Sequence, residues 1–205
     1  EYYLNGRLKF EGEYLKGKRW NGKGFDKNGN IIYELNNGEG LIEEYNEDGS
    51  LIFEGKYLNG DRNGKGKEYY TSGILKFEGE YLNGKKNGTG KEYYFNGILQ
   101  YEGEYLNGER HGKGKEYDEN GNLIFEGEYL NGKKWNGNEK NYSNGLIESE
   151  VEFLNGKKWK GKVKEYFNFK LIFKGEYLNG ERNGKGKEYY LNGRLKFEGE
   201  YLKGK

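Results

Sequence analysis

Apolar and polar side chains alternate with a period of two through segment after segment of the chain. In Leu75-Lys76-Phe77-Glu78-Gly79-Glu80-Tyr81, residues Leu75, Phe77, Gly79 and Tyr81 fall on one side and Lys76, Glu78 and Glu80 on the other. Period two marks a strand with one buried face, whereas an amphipathic helix repeats every three to four residues. Asn-Gly pairs or near equivalents separate these segments. Such a pair is the strongest short-range hairpin signal, because both central residues of the matching turn take positive φ.

A turn at Ser72-Gly73 sets a register in which Lys67 faces Glu78, Lys65 faces Glu80, Gly66 faces Gly79 and Tyr70 faces Leu75. Asn120-Gly121 likewise pairs Lys115 with Glu126 and Lys113 with Glu128, and Asn192-Gly193 pairs Lys187 with Glu198 and Lys185 with Glu200. Each exposed pair contributes only about 0.2–1 kcal/mol, so the charges serve register more than stability. Facing glycines on the other side leave room for aromatic rings from flanking strands. Phe169 stands where a turn calls for Gly, and positive φ is costly for Phe, which predicts a distorted turn there.

The alternating segment is itself repeated. Phe53, Phe77, Tyr101, Phe125, Ser149, Phe173 and Phe197 each follow the last by 24 residues, while upstream the intervals shrink to 23 (Phe10 to Tyr33) and 20 (Tyr33 to Phe53). A fixed period of this size belongs to a solenoid, whose units bury their apolar faces only by stacking on neighbours. The predicted fold is all-β: an elongated antiparallel hairpin meander over residues 1–205, one continuous array of about eight to nine units, partial at both ends. At roughly 4.8 Å per strand, some seventeen strands give a single-layer twisted ribbon or rod on the order of 80 Å long.

Composition changes what fills the core. Leu, Ile, Val and Phe make up only a fifth of the 205 residues, near the level at which chains stay unfolded. Net charge is only +1, however, and 21 Tyr supply the missing apolar surface. The absence of Cys removes disulfides, thiolate zinc sites and thiol catalysis. No run of 18 apolar residues exists to form a membrane-spanning helix. A cytoplasmic location is the favoured expectation; the sequons Asn87-Gly88-Thr89 and Asn141-Tyr142-Ser143 matter only if the chain is secreted.

Candidate chemistry is sparse. His111 is the sole histidine, so neither a nucleophile–His arrangement nor a multi-His metal site can be assembled. Glu-x-Glu pairs recur in every unit opposite Lys, as a ladder does and a catalytic dyad does not. Gly79 to Lys86 approaches a phosphate-binding loop but lacks the Ser or Thr for magnesium and a following helix. No enzyme activity, cofactor, metal or small-molecule substrate is expected, and no nucleic acid, since Glu balances Lys.

Trp20, Trp135 and Trp159 are the exceptional residues. Each follows two basic residues and is read as lengthening the same loop by one. Trp135 and Trp159 are expected on neighbouring hairpins about 10 Å apart, beside Lys133, Lys134, Lys157 and Lys158. These seven residues form candidate interaction loops for a protein partner or an anionic membrane surface. The alternative is that each indole shields its own loop.

Tyr101 to Tyr117, "YEGEYLNGERHGKGKEY", resembles the MORN repeat, and "EYYLNGRLKFEGEY" resembles the second MORN-type variant. The resemblance covers almost the whole chain, departing at the usual His, which is retained only at His111 and is Asn63, Asn87 and Asn183 elsewhere. It implies a β-hairpin solenoid with scaffolding, self-association and in some members membrane attachment.

Residues 1–18 recur unchanged as residues 188–205. Two expectations follow: a window on a longer array with a 187-residue period, or ends that stack head-to-tail. The expected role is a scaffold displaying repeated loops to protein partners or to itself, followed by peripheral membrane binding through the Trp and Lys loops, then by carbohydrate binding.

Overall fold

The computed structural model describes residues 1–143 and 145–205, with seventeen strands and no helix among the described residues. Strands β1 (Phe10–Leu15), β2 (Lys18–Phe25) and β3 (Ile31–Leu35) form a three-stranded sheet. The following strands form an open fourteen-stranded antiparallel meander in chain order. They are β4 (Gly40–Tyr45), β5 (Leu51–Leu58), β6 (Asp61–Tyr69), β7 (Leu75–Leu82), β8 (Lys85–Tyr93), β9 (Leu99–Leu106), β10 (Glu109–Tyr117), β11 (Leu123–Leu130), β12 (Lys133–Ser143), β13 (Leu146–Leu154), β14 (Lys157–Phe167), β15 (Lys170–Leu178), β16 (Glu181–Tyr189) and β17 (Leu195–Tyr201). The break between the two sheets falls where the aromatic spacing contracts to 20 residues. Contacts group the chain into two units, Glu1–Arg110 with Glu119–Gly121, and His111–Asp118 with Asn122–Lys205.

In the first unit two kinds of turn alternate. Asn59-Gly60 and Asn83-Gly84 have positive φ at both residues, as a tight two-residue hairpin turn needs. At Ser72-Gly73 only Gly73 does, with φ +83°. Tyr70 N–H donates to the Ile74 carbonyl at 2.9 Å, and Gly73 N–H donates to the Tyr70 carbonyl at 2.8 Å. The loop is therefore Thr71-Ser72-Gly73, and Leu75 faces Tyr69 rather than the expected Tyr70. A bulge at Lys76 then restores the predicted Lys67–Glu78, Gly66–Gly79 and Lys65–Glu80 pairs. The extra loop residue and the bulge offset each other.

In each unit the core is a row of rings laid over glycines. Phe53, Phe77 and Tyr101 are wholly buried in the first unit, Phe125 and Phe173 in the second. A Cβ added at Gly79 would stand 2.6 Å from the Phe77 ring and 2.7 Å from the Gly90 Cα. The row therefore admits no side chain where a ring crosses it.

In the second unit β12 and β14 have eleven residues against the nine of β16. Trp135 is a single bulged residue between the pairs Tyr129–Lys134 and Glu128–Asn136. At the same place in β7 and β8, Asn87, Gly88 and Thr89 lie between Lys86 and Gly90. The Trp-bearing segment is thus one residue shorter than its counterparts, not longer as expected. Register then slides by two, so that Glu139 faces Val151, whereas Glu92 faces Tyr101. A slip of two keeps each side chain on its own face.

Ser149, where the aromatic is missing, is buried with Val151 and Val163. Two valines are the buried apolar side chains here, in place of a ring over small residues. The turn at Asn168-Phe169 is regular rather than distorted: φ is +47° and +60°, and the pairs Phe167–Lys170 and Tyr166–Leu171 are in register. The fully exposed Phe169 ring meets nothing, so the strain stays in its φ.

Candidate functional site

Above the buried rings runs a second row that the sequence reading placed in loops. After five of the two-residue Asn-Gly turns, the second residue is basic and lies over the ring of its own unit. Arg62 stands 4.0 Å from the Phe53 centroid, Lys86 4.1 Å from Phe77 and Arg110 4.3 Å from Tyr101. In the second unit Lys134 stands 5.0 Å from Phe125 and Arg182 4.1 Å from Phe173.

Each cation is also clamped by carboxylates. Arg62 bridges Glu44 at 3.0 Å and Glu68 at 2.9 Å, and Tyr57 OH donates to Glu44. Glu92 takes Lys86 at 3.0 Å and Arg110 at 2.7 Å, and Arg182 joins Glu165 at 2.9 Å to Glu188 at 2.5 Å. Burial pushes the Glu92 carboxyl upward, but Lys86 and Arg110 outweigh it and hold it below the usual carboxylate range. Burial, with Glu68 alongside, pushes the Tyr81 hydroxyl far up. On the opposite face, burial and the hydrogen bond to Glu54 push Tyr69 up to about 12. The shifts of Glu92, Tyr81 and Tyr69 each favour the protonation state found beside their neighbours, as in a structural network.

The turns are stitched to the hairpin before them. Gly84 N–H donates to the Arg62 carbonyl at 2.9 Å and Gly108 N–H to that of Lys86 at 2.8 Å. In the second unit Gly156 N–H donates to the Trp135 carbonyl at 2.9 Å and Gly180 N–H to that of Trp159 at 3.1 Å.

These features recur where the family comparison finds its matches. The MORN repeat model matches residues 77–98, 101–123 and 173–193, and the MORN repeat variant matches residues 38–59 and 62–83. The chain belongs to the MORN-repeat family. Comparison with curated proteins returns no match. MORN repeats form a non-enzymatic family associated with scaffolds for protein and membrane interaction. Trp20, Trp135 and Trp159 all lie outside the matched MORN segments.

The predicted loop residues separate by environment. The half-buried Trp20 and Trp135 lie over the turn glycines of the next MORN unit: a Cβ at Gly38 would stand 2.8 Å from Trp20, and one at Gly156 3.2 Å from Trp135. Trp159, also half-buried, contributes its carbonyl to Gly180. Lys134 is held by Glu116 at 3.1 Å and Glu139 at 2.8 Å, and Lys158 reaches Glu139 at 3.6 Å. Lys133 and Lys157 are exposed at strand ends, in register with Leu130 and Leu154. His111 is half-buried, its Nδ1 enclosed without a hydrogen-bond partner. No group of His, Cys, Asp and Glu suited to a metal ion occurs among the described residues.

The clamped cations were visible in the sequence only as a column of Arg and Lys after Asn-Gly. Which face that column occupies depends on the bulge that follows it. The same edge carries a second repeated feature, a leucine just before six of the Asn-Gly turns. Leu58, Leu82 and Leu106 in the first unit and Leu130, Leu154 and Leu178 in the second are all exposed.

Proposed function

We propose that this MORN-repeat chain is a non-enzymatic scaffold that binds protein, a second copy of itself included, along its Asn-Gly turn edge. The observation that carries this reading is the exposed leucine repeated before six Asn-Gly turns, 49% exposed at Leu82 and 44% at Leu106. One leucine per hairpin is a weak contact. Repetition at fixed spacing turns weak contacts into avidity without any single strong site.

Light scattering across a concentration series tests the reading, on the chain and on a Leu82→Asp plus Leu106→Asp variant. Concentration-dependent assembly that the variant loses supports it. A monomer at every concentration overturns self-association and leaves a different protein as the partner.

The membrane reading has its own observation, the exposed Lys133 and Lys157 beside Leu130 and Leu154. Cations flanking apolar side chains suit an anionic bilayer surface. Flotation with anionic vesicles that Lys133→Glu plus Lys157→Glu abolishes would favour it; no flotation at low salt would remove it.

A further inference from the structure

Lys174 puts a base on the outer face where the other units carry an acid. The residue after the repeated aromatic is Glu in eight units, at Glu11, Glu34, Glu54, Glu78, Glu102, Glu126, Glu150 and Glu198, and Lys only at Lys174. In the first unit the row from Glu54 onward reads Glu54–Lys67–Glu78–Lys91–Glu102, with Glu78 between two lysines, whereas Glu54 faces Glu43 on its other side. In the second unit Lys174 faces Lys164 on one side and Lys187 on the other. This overturns the expectation that Glu matches Lys throughout.

Three lysines abreast on adjacent strands repel one another, because directly opposed side chains lie only about 5 Å apart at Cβ. The outer two are partly relieved, Lys164 by Glu148 and Lys187 by Glu198 at 2.8 Å. Lys174 makes no ion pair among the described residues. The two lysines on the other side of the glycine row are matched in register, Lys162 by Glu176 and Lys185 by Glu200. Burial, and then the Lys174 charge, depress the Lys164 ammonium. These groups line a groove of about 670 Å³ whose border includes Gly175, Gly186 and Gly199.

We propose that Lys164, Lys174 and Lys187 form a binding site for a phosphate monoester dianion. The Lys174 ammonium, unpaired among the described residues, has three N–H donors, Lys164 and Lys187 add those that Glu148 and Glu198 leave unused, and Lys is the residue type that meets phosphate as a point charge. The bound dianion takes the place that Glu holds in every other unit and removes the repulsion across three strands. The site lies on the outer face, away from the leucine edge, and does not rest on the scaffold reading.

Thermal unfolding in phenyl phosphate or inorganic phosphate, against chloride at matched ionic strength, tests the proposal on the whole chain. The expected result is a midpoint rise of about 5 °C at saturation, in line with ligand linkage for a chain of this size. Lys174→Glu restores the alternating row. It is expected to melt higher than the unsubstituted chain in chloride and to show no phosphate shift. Lys174→Gln removes the charge alone and is expected to lose the shift too, so the test survives if either variant folds poorly. Vesicles with phosphatidic acid separate a lipid from a soluble source: binding that depends on Lys174 supports the site with a lipid headgroup as its ester. Absence of a phosphate-specific rise together with vesicle binding unchanged by Lys174→Gln overturns it, and so does a rise that both variants retain.

Discussion

The Arg62 guanidinium lies 4.0 Å from the centre of the Phe53 ring and bonds Glu44 on β4, two strands away, and Glu68 on its own strand β6. One side chain thus covers a buried aromatic and joins successive hairpins through charge. The arrangement recurs with Lys86 over Phe77 and with Arg182 over Phe173, so it belongs to the repeat rather than to one site.

Arg62→Ala removes the cation from the ring and leaves two half-buried carboxylates facing each other. The expected loss is about 2 kcal/mol, read as a lower urea midpoint with unchanged slope. Arg62→Lys is expected to lose less than about 1 kcal/mol, because Lys86 fills the same place in the next unit; it gives up only the forked contact. Equal losses for the two variants would show that the ring contact and the charge do not matter.

The rings and glycines of the core row are expected to be energetically coupled. Gly79→Val alone forces the Phe77 ring aside and is expected to destabilise by about 3 kcal/mol. Phe77→Ser alone opens a cavity and is expected to lose about 3–4 kcal/mol. The double variant reproduces the Ser149 and Val151 pair and is expected to lose at least about 1 kcal/mol less than the sum. Simple additivity in denaturant melts would refute the coupling.

Acid is expected to weaken the clamps. The Glu92 carboxyl is held below its unfolded value by Lys86 and Arg110 against the upward push of burial. Its stabilising contribution is complete above the ordinary carboxylate range and is lost as pH falls through the lowered folded value. Urea midpoints should therefore fall between pH 5 and pH 3. Glu92→Gln should lower the midpoint at pH 7 by the equivalent of about 1 kcal/mol and flatten the acid limb. An acid limb as steep as before in Glu92→Gln would assign it to other carboxylates.

Strands, registers and the ring-over-glycine core were legible because alternation, Asn-Gly and a 24-residue period all point to one pairing. The Tyr70–Leu75 pair was misplaced because a three-residue loop and a bulge cancel two residues later, leaving no trace in the spacing. The Trp segments misled for the same reason. A deletion in one strand is compensated in the next, so the period stays at 24 while the register slides. The Arg62 and Lys86 clamps were illegible because a bulge decides their face, and bulges have no side-chain period. Of the predicted loop residues, only Lys133 and Lys157 are both exposed and outside the ion-pair network of the described residues, a distinction that follows from which strand ends they occupy.

Hairpin tips ordinarily exchange their amide protons first, since their N–H groups face water. In this chain the tip amides of Gly84, Gly108, Gly156 and Gly180 are each closed by a carbonyl of the hairpin before. A tip therefore cannot open alone without orphaning a group on its neighbour. Deuterium uptake at these glycines reports the detachment of whole hairpins, and loss of structure proceeds by peeling from a free strand inward, one hairpin at a time.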